Sequence, residues 1–320
     1  MRGIVKGLAV IQPGIQSLVQ DRGRFGFHAI GLTTGGPMDY SAFRWANRLC
    51  GNDDSAACIE VLMGGLVLQA QIATQIAVTG AEIPLAINHQ SVDCWRSHCL
   101  HPGDRIELGH ATAGCRAYLA ATGGFDFQPS FGSAATVVRE GLGGPNGDGQ
   151  ALKAGGILPC SPSVETPCLA LDKAYQPAYL ENTASLRVVL GYQQASFSQA
   201  QQQLFFNSDY RLSADCDRMG FRLAGAAINS STTSLLSEGI CLGAIQFPGD
   251  GQPIVLMRDR QTIGGYPKIG SVLSIDLDRM AQLQPGATVR FEPIGIERAH
   301  NLIHLSERRF HNTPLIEITD

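Results

Sequence analysis

The densest cluster of polar residues in the sequence is the segment Asp259-Arg260-Gln261-Thr262-Ile263-Gly264-Gly265-Tyr266-Pro267-Lys268. It offers backbone N–H groups, an amide, a hydroxyl and two cations, and it follows an apolar run that predicts a strand. Its two adjacent glycines allow the backbone to approach a ligand closely. Such a set of groups suits an anionic or amide-bearing small molecule. The alternative interpretation is a hairpin whose polar tip merely faces water.

Three positions upstream could contribute to the same binding chemistry. Gln246 lies on the preceding predicted strand, where its side chain could read an amide. Asp39 ends the run Gly35-Gly36-Pro37-Met38-Asp39, just before a predicted helix whose N-terminal N–H groups can receive an anion. Asn47 lies on that helix. For Asp39 and Asn47 the alternative is an ordinary cap or turn role.

The strong catalytic and metal signatures are absent from the sequence. It contains no phosphate loop, no Gly-x-Ser-x-Gly nucleophile elbow and no His-Glu-x-x-His. The glycine-rich run 141–149 does not sit between a clear strand and a helix, so it is interpreted as a surface loop. Cys94, His98, Cys99 and His101 lack a second pair at structural-zinc spacing. We therefore predict no metal site.

Composition excludes several classes of protein. A share of 44% hydrophobic residues in 320 is too high for a disordered chain. With 24 Lys and Arg against 28 Asp and Glu, no nucleic-acid partner is expected. No apolar run approaches the roughly 20 residues of a membrane helix, so no membrane association is predicted. The nine cysteines are odd in number and include no Cys-x-x-Cys, which predicts reduced thiols in a cytoplasmic protein.

Short strands separated by glycine dominate the local pattern and must position these residues. Many short strands without regular intervening helices predict a mainly β fold built from antiparallel barrels rather than a βαβ sheet. The clearest helix spans Asp39 to Cys50, with Asp39 as N-cap and Gly51 as the stop. Further helices are predicted at 199–206 and 297–310, together with a shorter one capped by Asp276. The segment Val272–Ile275 is predicted as a strand.

An internal repeat predicts two similar units. Residues 100–108 match residues 283–291, because in both a leucine and a Pro-Gly turn lead into an alternating strand. We therefore expect an N-terminal β-barrel unit at 1–165 and a C-terminal unit with a C-terminal helix at 185–320. The Pro- and Ser-rich stretch 166–184 is predicted as the linker. The alternative is that Pro-Gly before a strand is common turn chemistry.

Several motifs, in order along the chain, resemble a known family. They are Gln20-Asp21-x-Gly23-Arg24, Gly35-Gly36-Pro37-Met38-Asp39, Ala46-Asn47-Arg48-Leu49-x-Gly51-Asn52, Gly123-Gly124-Phe125-Asp126, Ser237-Glu238-Gly239, Gly251-Gln252-Pro253 and the segment 259–268. Together they resemble the biotin-dependent carboxyltransferase family, also called allophanate hydrolase subunit 2, over residues 11–294. The stretch Gln261-Thr262-x-Gly264-Gly265-Tyr266-Pro267 is the most specific of them. The resemblance implies two cyclophilin-like β-barrel units with a few short helices.

The resemblance also implies a function within a complex. Members of the family include the C component of bacterial 5-oxoprolinase, which works with an A component and a KipI-like B component. That complex opens 5-oxoproline to L-glutamate at the expense of ATP. ATP would then be used by the complex, and the chain alone is expected to be inactive.

Two alternatives to this function remain open. One is a carboxyltransferase component of a urea carboxylase-type system, and the other is a non-enzymatic KipA-like regulator that binds a KipI-like partner. No biotinyl-lysine motif occurs, so no covalent biotin is expected on this chain.

The lactam reaction assigns provisional roles to the polar segment. Opening a resonance-stabilised lactam needs donors for a developing oxyanion and cations for phosphate and carboxylate. We assign Arg260 or Lys268 to anion binding and Asp259 to proton transfer or orientation. Gln261 and Thr262 are assigned to amide recognition. The catalytic set is thus Asp259, Lys268 and Gln261, and the expected substrate-binding set is Gln246, Arg260, Thr262, Gly264, Gly265, Tyr266, Asp39 and Asn47.

Overall fold

The computed structural model describes residues 6–163, 167–179, 181–232 and 235–318. These residues form two compact units. The first comprises residues 6–25, 35–163, 167–179 and 314–318, and the second comprises residues 26–34, 181–232 and 235–313. Residues 164–166 and 180, at the edges of the predicted linker, lie outside the described part. Within that linker, Cys168–Ala170 forms a strand that pairs with Ile316–Ile318.

The first unit consists mainly of two antiparallel sheets. The first sheet runs, in spatial order, β11 (Ile157–Pro159), β1 (Gly7–Pro13), β4 (Leu66–Ala70), β9 (Arg105–Leu108), β6 (Leu85–Ile87) and β7 (Gln90–Val92). The second runs β2 (Gln16–Gln20), β3 (Cys58–Leu62), β10 (Ala113–Ala121), β5 (Thr74–Glu82) and β8 (Ser97–Leu100). A short pair joins β12 (Cys168–Ala170) to β22 (Ile316–Ile318). Buried side chains from both large sheets form one apolar core, including Leu8, Leu68, Ile59 and Leu119.

Helix α1 (Tyr40–Leu49) begins and ends where the sequence predicts. The Asp39 carboxylate accepts a hydrogen bond from the Ala42 N–H at 2.9 Å, which satisfies one of the free donors of the first turn. Phe43, Ala46 and Leu49 are buried on one face of the helix. Gly51 follows with φ of 68°, the left-handed conformation that ends many helices.

The second unit contains a closed barrel. Its strands run β13 (Thr183–Leu190), β20 (Lys268–Val272), β17 (Ala244–Gln246), β18 (Ile254–Leu256), β15 (Gly220–Ala224), β14 (Tyr210–Cys216) and β21 (Thr288–Pro293). The first and last strands of this order, β13 and β21, pair with each other and so close the ring. Their pairing is parallel, whereas all other neighbours in the barrel are antiparallel. A separate two-stranded sheet joins β16 (Glu238–Gly239) to β19 (Ile263–Gly264). The prediction of a mainly β fold with a few short helices is confirmed.

Aromatic side chains fill the core of the second unit. Phe205, the buried residue of helix α2 (Gln199–Phe206), stacks on Phe291 of β21 with ring centroids 4.7 Å apart. Tyr210 and Phe247 also contact the Phe205 ring. The remaining helices are α3 (Ser274–Ala281) and α4 (Ile296–Asn312). No helix among the described residues is both long enough and apolar enough to cross a membrane.

The predictions around residue 275 are wrong in detail. The strand ends at Val272, and residues 274–275 already belong to α3. Asp276 is not the helix cap, because Leu273 occupies that position. The Asp276 carboxylate instead accepts hydrogen bonds from the Arg187 backbone N–H and Nε, both at 2.8 Å. A long-range ion pair has therefore replaced the local capping bond that the sequence suggested.

The repeated Pro-Gly turn has the same backbone form in both units. Gly103, before β9, has φ of 100°, and Gly286, before β21, has φ of 87°. Both values are left-handed, which a residue with a side chain rarely adopts. The turn chemistry read from the sequence thus starts one strand in each unit.

Candidate functional site

The polar segment 259–268 connects β18 to β20, the two barrel strands that flank β17. It leaves β18, forms the short strand β19 against β16, and enters β20 at Lys268. The Ile240 N–H donates to the Thr262 carbonyl at 3.0 Å, and the Leu235 N–H donates to the Gly265 carbonyl at 3.2 Å. These bonds use the segment's backbone to attach it to the loop before β17. The segment is therefore anchored beside the barrel by its backbone and is not a free hairpin tip.

A cavity of about 470 Å³ lies in the second unit beside this segment. Gln246, Gln261 and Tyr266 are the predicted site residues that line it. Ile254 and Leu256 provide an apolar part of the wall, and Asp215, Asp217 and Arg222 contribute charge. The structure thus brings together two side-chain amides and a phenol around a space suited in size to a small molecule.

The Gln246 amide is the most unusual group in this cavity. The residue is 1% exposed, and its Nε2 has no hydrogen-bond partner among the described residues. Buried polar groups are almost always paired, because an unmade hydrogen bond leaves the full cost of desolvation. A donor left unpaired against a cavity points to a group that pairs with it from outside the chain.

Asp259 lies in a buried ion pair. Arg218 donates from Nε to Oδ2 at 2.9 Å and from Nη2 to Oδ1 at 3.0 Å, and both side chains are buried. The Asp259 N–H also donates to the Arg218 carbonyl at 2.7 Å. Both carboxylate oxygens are thus engaged by a guanidinium, which favours orientation over proton transfer among the two roles predicted for Asp259.

Lys268 belongs to a second polar network. Its ammonium donates to Glu238 Oε1, and its backbone N–H donates to Gln193 Oε1 at 2.9 Å. Gln193 Nε2 donates to the same Glu238 oxygen. Hydrogen bonds from Lys268 and Tyr192 lower the pKa of Glu238. An anion that binds Lys268 would therefore have to share the ammonium with Glu238.

Arg260 is buried without a carboxylate partner among the described residues. Its guanidinium donates to the Ile240 carbonyl at 3.3 Å and to the Met257 carbonyl at 3.5 Å. Burial lowers the pKa of Arg260 to about 10. The Arg260 carbonyl accepts from Thr33 Oγ1 at 2.8 Å, which ties the start of the segment to residue 33. The chain thus holds a buried positive charge beside the predicted site.

The two glycines of the segment are required by close contacts. A Cβ on Gly264 would lie 2.4 Å from Ile240 Cδ1, 3.0 Å from Gln246 Nε2 and 3.6 Å from Gln261 Nε2. A Cβ on Gly265 would lie 2.7 Å from the Leu235 carbonyl oxygen. Gly264 therefore packs against Ile240 and the two amides with no room for a side chain. Tyr266, which also lines the cavity, is 48% exposed.

Asp39 and Asn47 belong to the first unit and have local structural partners. Besides capping α1, Asp39 accepts from the Tyr179 hydroxyl at 3.2 Å, and its N–H donates to the Tyr118 hydroxyl at 2.7 Å. Asn47 donates to the Ala56 carbonyl at 2.9 Å and accepts from Asn52 Nδ2 at 3.0 Å. Both residues are buried. Their predicted part in substrate binding stays a prediction.

A larger cavity of about 830 Å³ lies in the first unit. It is lined by parts of β5, β6 and β7 and by residues 170–177, and it contains none of the predicted site residues.

The glycine-rich run 141–149 folds back on residues 134–135: the Gly144 N–H donates to the Ala134 carbonyl at 2.9 Å. Within the described part of the chain, no group of three His, Cys, Asp or Glu residues could hold a metal ion.

Sequence reasoning missed Arg218, Glu238 and Gln193 as parts of these networks. Glu238 lies in Ser237-Glu238-Gly239, one of the motifs of the family resemblance, so a signal for it was available. Arg218 and Gln193 lie 41 and 75 residues before their partners Asp259 and Lys268. A single sequence carries no sign of such pairings.

Family comparison agrees with the motifs. The sequence profile of the family described as "Carboxyltransferase domain, subdomain A and B" matches residues 30–293. The chain therefore belongs to this carboxyltransferase family, as the sequence predicted.

Individual relatives narrow the comparison. The chain is 35% identical over 294 residues to the C subunit of 5-oxoprolinase from Escherichia coli strain K12, covering 91% of this chain and 93% of that protein. It is 30% identical to urea amidolyase of Lachancea kluyveri, covering 92% of this chain but 17% of that much longer protein. The solved structure of Kluyveromyces lactis urea carboxylase matches with a TM-score of 0.89 at 28% identity, over 99% of this chain and 30% of that chain.

Proposed function

We propose that this chain is the C subunit of a cytoplasmic, ATP-dependent 5-oxoprolinase, which opens 5-oxoproline to L-glutamate with the help of A and KipI-like B subunits. The observation that carries the proposal is the extent of the match to the C subunit of the Escherichia coli enzyme, which covers 93% of that protein. The match to the Lachancea urea amidolyase covers 17% of it. This chain therefore corresponds to nearly the whole of the first relative and to a segment of the second.

The cavity chemistry supports a small amide as the ligand. Gln246 and Gln261 present side-chain amides to a space of about 470 Å³, and one of them is buried with an unpaired nitrogen. The carboxylate of 5-oxoproline requires a cation. Arg222 lines the same cavity and is 40% exposed in its ion pair with Asp250, so it can exchange that partner for a ligand carboxylate.

The two networks, one buried and one partly buried, then have positioning roles. The Arg218–Asp259 pair fixes the start of the polar segment, and the Lys268–Glu238 pair fixes its end. Between these two points the backbone places Gln261 and Tyr266 at the cavity and Gly264 next to the Gln246 and Gln261 amides. We propose ATP use for the assembled complex and assign no residue of this chain to the nucleotide.

Carboxyl transfer to urea is the second candidate function. The observation that favours it is the TM-score of 0.89 to Kluyveromyces lactis urea carboxylase. Urea also presents amide N–H and C=O groups, so the cavity chemistry fits both substrates. The two functions differ in what the complex must contain, because carboxyl transfer from biotin needs a biotin carrier.

Reconstitution separates the two candidates. The chain is produced together with the A- and B-type subunits of the same organism, and the purified complex is supplied with 5-oxoproline, with and without ATP. ATP-dependent glutamate that is lost when this chain is left out supports the 5-oxoprolinase. A stable complex that releases no glutamate, but consumes carboxybiotin when urea is added, supports the carboxyltransferase instead.

A further inference from the structure

Gln246 lines the cavity, and its side-chain amide is buried there without a hydrogen-bond partner for its nitrogen among the described residues. Its Nε2 is buried without a partner, and no hydrogen bond joins its Oε1 to another described residue. By contrast, Gln252 in the same unit is fully used, since it accepts from the Gly225 N–H at 2.8 Å and donates to the Gly225 carbonyl at 3.2 Å. A buried amide without partners among the described residues, such as that of Gln246, weakens the fold unless a ligand completes its hydrogen bonds.

The residues around that amide place Gly264 and a second amide next to it. Gly264 lies beside it without a side chain, at the position where a Cβ would come within 3.0 Å of Gln246 Nε2. The Gln261 amide flanks the same position, 3.6 Å from that Cβ. Ile254 and Leu256 supply apolar wall, where hydrogen bonds are less weakened by water. The geometry therefore places planar amide groups next to an apolar part of the cavity wall.

A primary amide recognises one kind of partner especially well. It carries a donor and an acceptor in one plane, and a cis amide carries its N–H and C=O on one edge. The two groups can form a pair of parallel hydrogen bonds, whichever way the glutamine amide is turned. A small lactam ring is held in the cis form, whereas a lactone lacks the N–H and a cyclic amine lacks the C=O.

We propose that Gln246 is the specificity-determining residue of this cavity and that it binds the cis-amide edge of the ligand through two hydrogen bonds. That the amide belongs to 5-oxoproline rests on the function proposed above. The recognition of a cis amide rests on the cavity alone. Gln246 contacts the amide that reacts, but it binds and orients that group and supplies no proton to it.

The test measures ligand preference in the assembled complex without ATP. Calorimetry gives dissociation constants for 5-oxoproline, for the lactone with oxygen in place of the ring nitrogen, and for proline, which lacks the carbonyl. For the wild type we expect a preference for 5-oxoproline on the order of ten- to a hundredfold, because each analogue leaves a buried group unpaired. In Gln246→Met the preference over the lactone should fall to about one.

Gln252→Met is the matched control. It should retain the wild-type preference while lowering the melting temperature, because it removes two bonds that the fold itself uses. Gln246→Met should not lower the melting temperature, since its amide pairs with nothing in the described chain. If Gln246→Met does not fold, Gln246→Glu keeps the shape and an acceptor for the ligand N–H but removes the donor to the ligand C=O. It should therefore keep the preference over the lactone and lose the preference over proline. A Gln246→Glu complex that keeps its preference over proline overturns the inference.

The outcomes separate this inference from the proposed function. A Gln246→Met complex that still prefers 5-oxoproline to the lactone overturns the inference, even if glutamate is produced normally. A wild-type complex that binds none of these probes, and does not bind urea, overturns it as well. Binding of urea or 5-oxoproline through Gln246 without glutamate production supports the inference and contradicts the 5-oxoprolinase.

Discussion

Arg218 and Asp259 form a buried two-point ion pair across 41 residues of sequence, with N–O distances of 2.9 and 3.0 Å. It holds the first residue of the polar segment against the start of β15. Arg260, the next residue, is also buried but has no such carboxylate among the described residues. Of these two buried arginines, Arg218 is paired with a carboxylate, whereas Arg260 donates, within the described part of the chain, only to backbone carbonyls.

Removing Arg218 should therefore damage the fold more than removing Arg260. Arg218→Met removes both guanidinium hydrogen bonds from the buried Asp259 carboxylate, which costs about 3–5 kcal/mol of unfolding free energy. Arg260→Met removes a buried charge that donates only to backbone carbonyls of the described residues and should cost less. Urea denaturation of the two variants measures the difference, and the double variant Arg218→Met with Asp259→Leu should recover most of the loss. Equal losses for the two single variants would contradict this account of the pair.

The Lys268–Glu238 pair predicts a pH-dependent contribution to stability. Because the pKa of Glu238 is lowered from 4.5 in the fold, the unfolded chain binds the proton more readily. The pair therefore stabilises the fold above the ordinary pKa, and this contribution is lost as the pH falls through the lowered pKa. Glu238→Gln should be less stable than the wild type at about pH 7, with the difference shrinking as the pH falls below the ordinary glutamate pKa and through the lowered one.

Denaturant titrations at a series of pH values check this prediction. Glu317→Gln is the control, because Glu317 is exposed and has no ion pair among the described residues. Its difference from the wild type should stay small at every pH. A Glu238→Gln difference that does not change with pH would show that the pair contributes no titratable stability.

Adding one methyl group at Gly264 should displace the Gln246 and Gln261 side chains that line the cavity. The Cβ of Gly264→Ala would meet Ile240 Cδ1 at 2.4 Å and Gln246 Nε2 at 3.0 Å. We expect a loss of 5-oxoproline affinity of about tenfold or more, with a cost in stability of roughly 1–3 kcal/mol from overpacking. Gly239→Ala is the matched control on the paired strand, since a Cβ there meets nothing within 4 Å. Equal affinities of the two variants would remove Gly264 from the site.

Asp39 tests whether a cap residue also binds ligand. Asp39→Ala should lose about 1 kcal/mol or more of unfolding free energy, because the Ala42 N–H loses its acceptor. Asp39→Asn keeps an oxygen for the cap and should retain most of the stability. If Asp39 binds substrate through its charge, Asp39→Asn should still weaken substrate binding in the complex. Unchanged binding in Asp39→Asn would leave Asp39 with the structural role alone.

The sequence predicts local features well and distant pairings poorly. The Asp39 cap, the Gly51 stop and the helix at 199–206 were predictable, because each depends on neighbouring residue types and spacing. The strand and cap near residue 275 were mispredicted, because Arg187 in β13 captures the Asp276 carboxylate. Tertiary contacts thus override local preference.

The same limit applies to the candidate site. The segment 259–268 stood out because its polar groups and glycines are consecutive in the sequence. Its supports, Arg218 and Gln193, did not, because only the folded barrel brings them to Asp259 and Lys268. The unpaired state of Gln246 was likewise invisible, since it depends on what the fold leaves beside the amide.

The most direct measurement is glutamate release from 5-oxoproline and ATP by the A and B subunits, with and without this chain. The proposed function predicts ATP-dependent glutamate in the complete mixture, none without this chain, and recovery when the purified chain is added back. Glutamate formed at the same rate without the chain would contradict it. So would a stable complete complex that forms none.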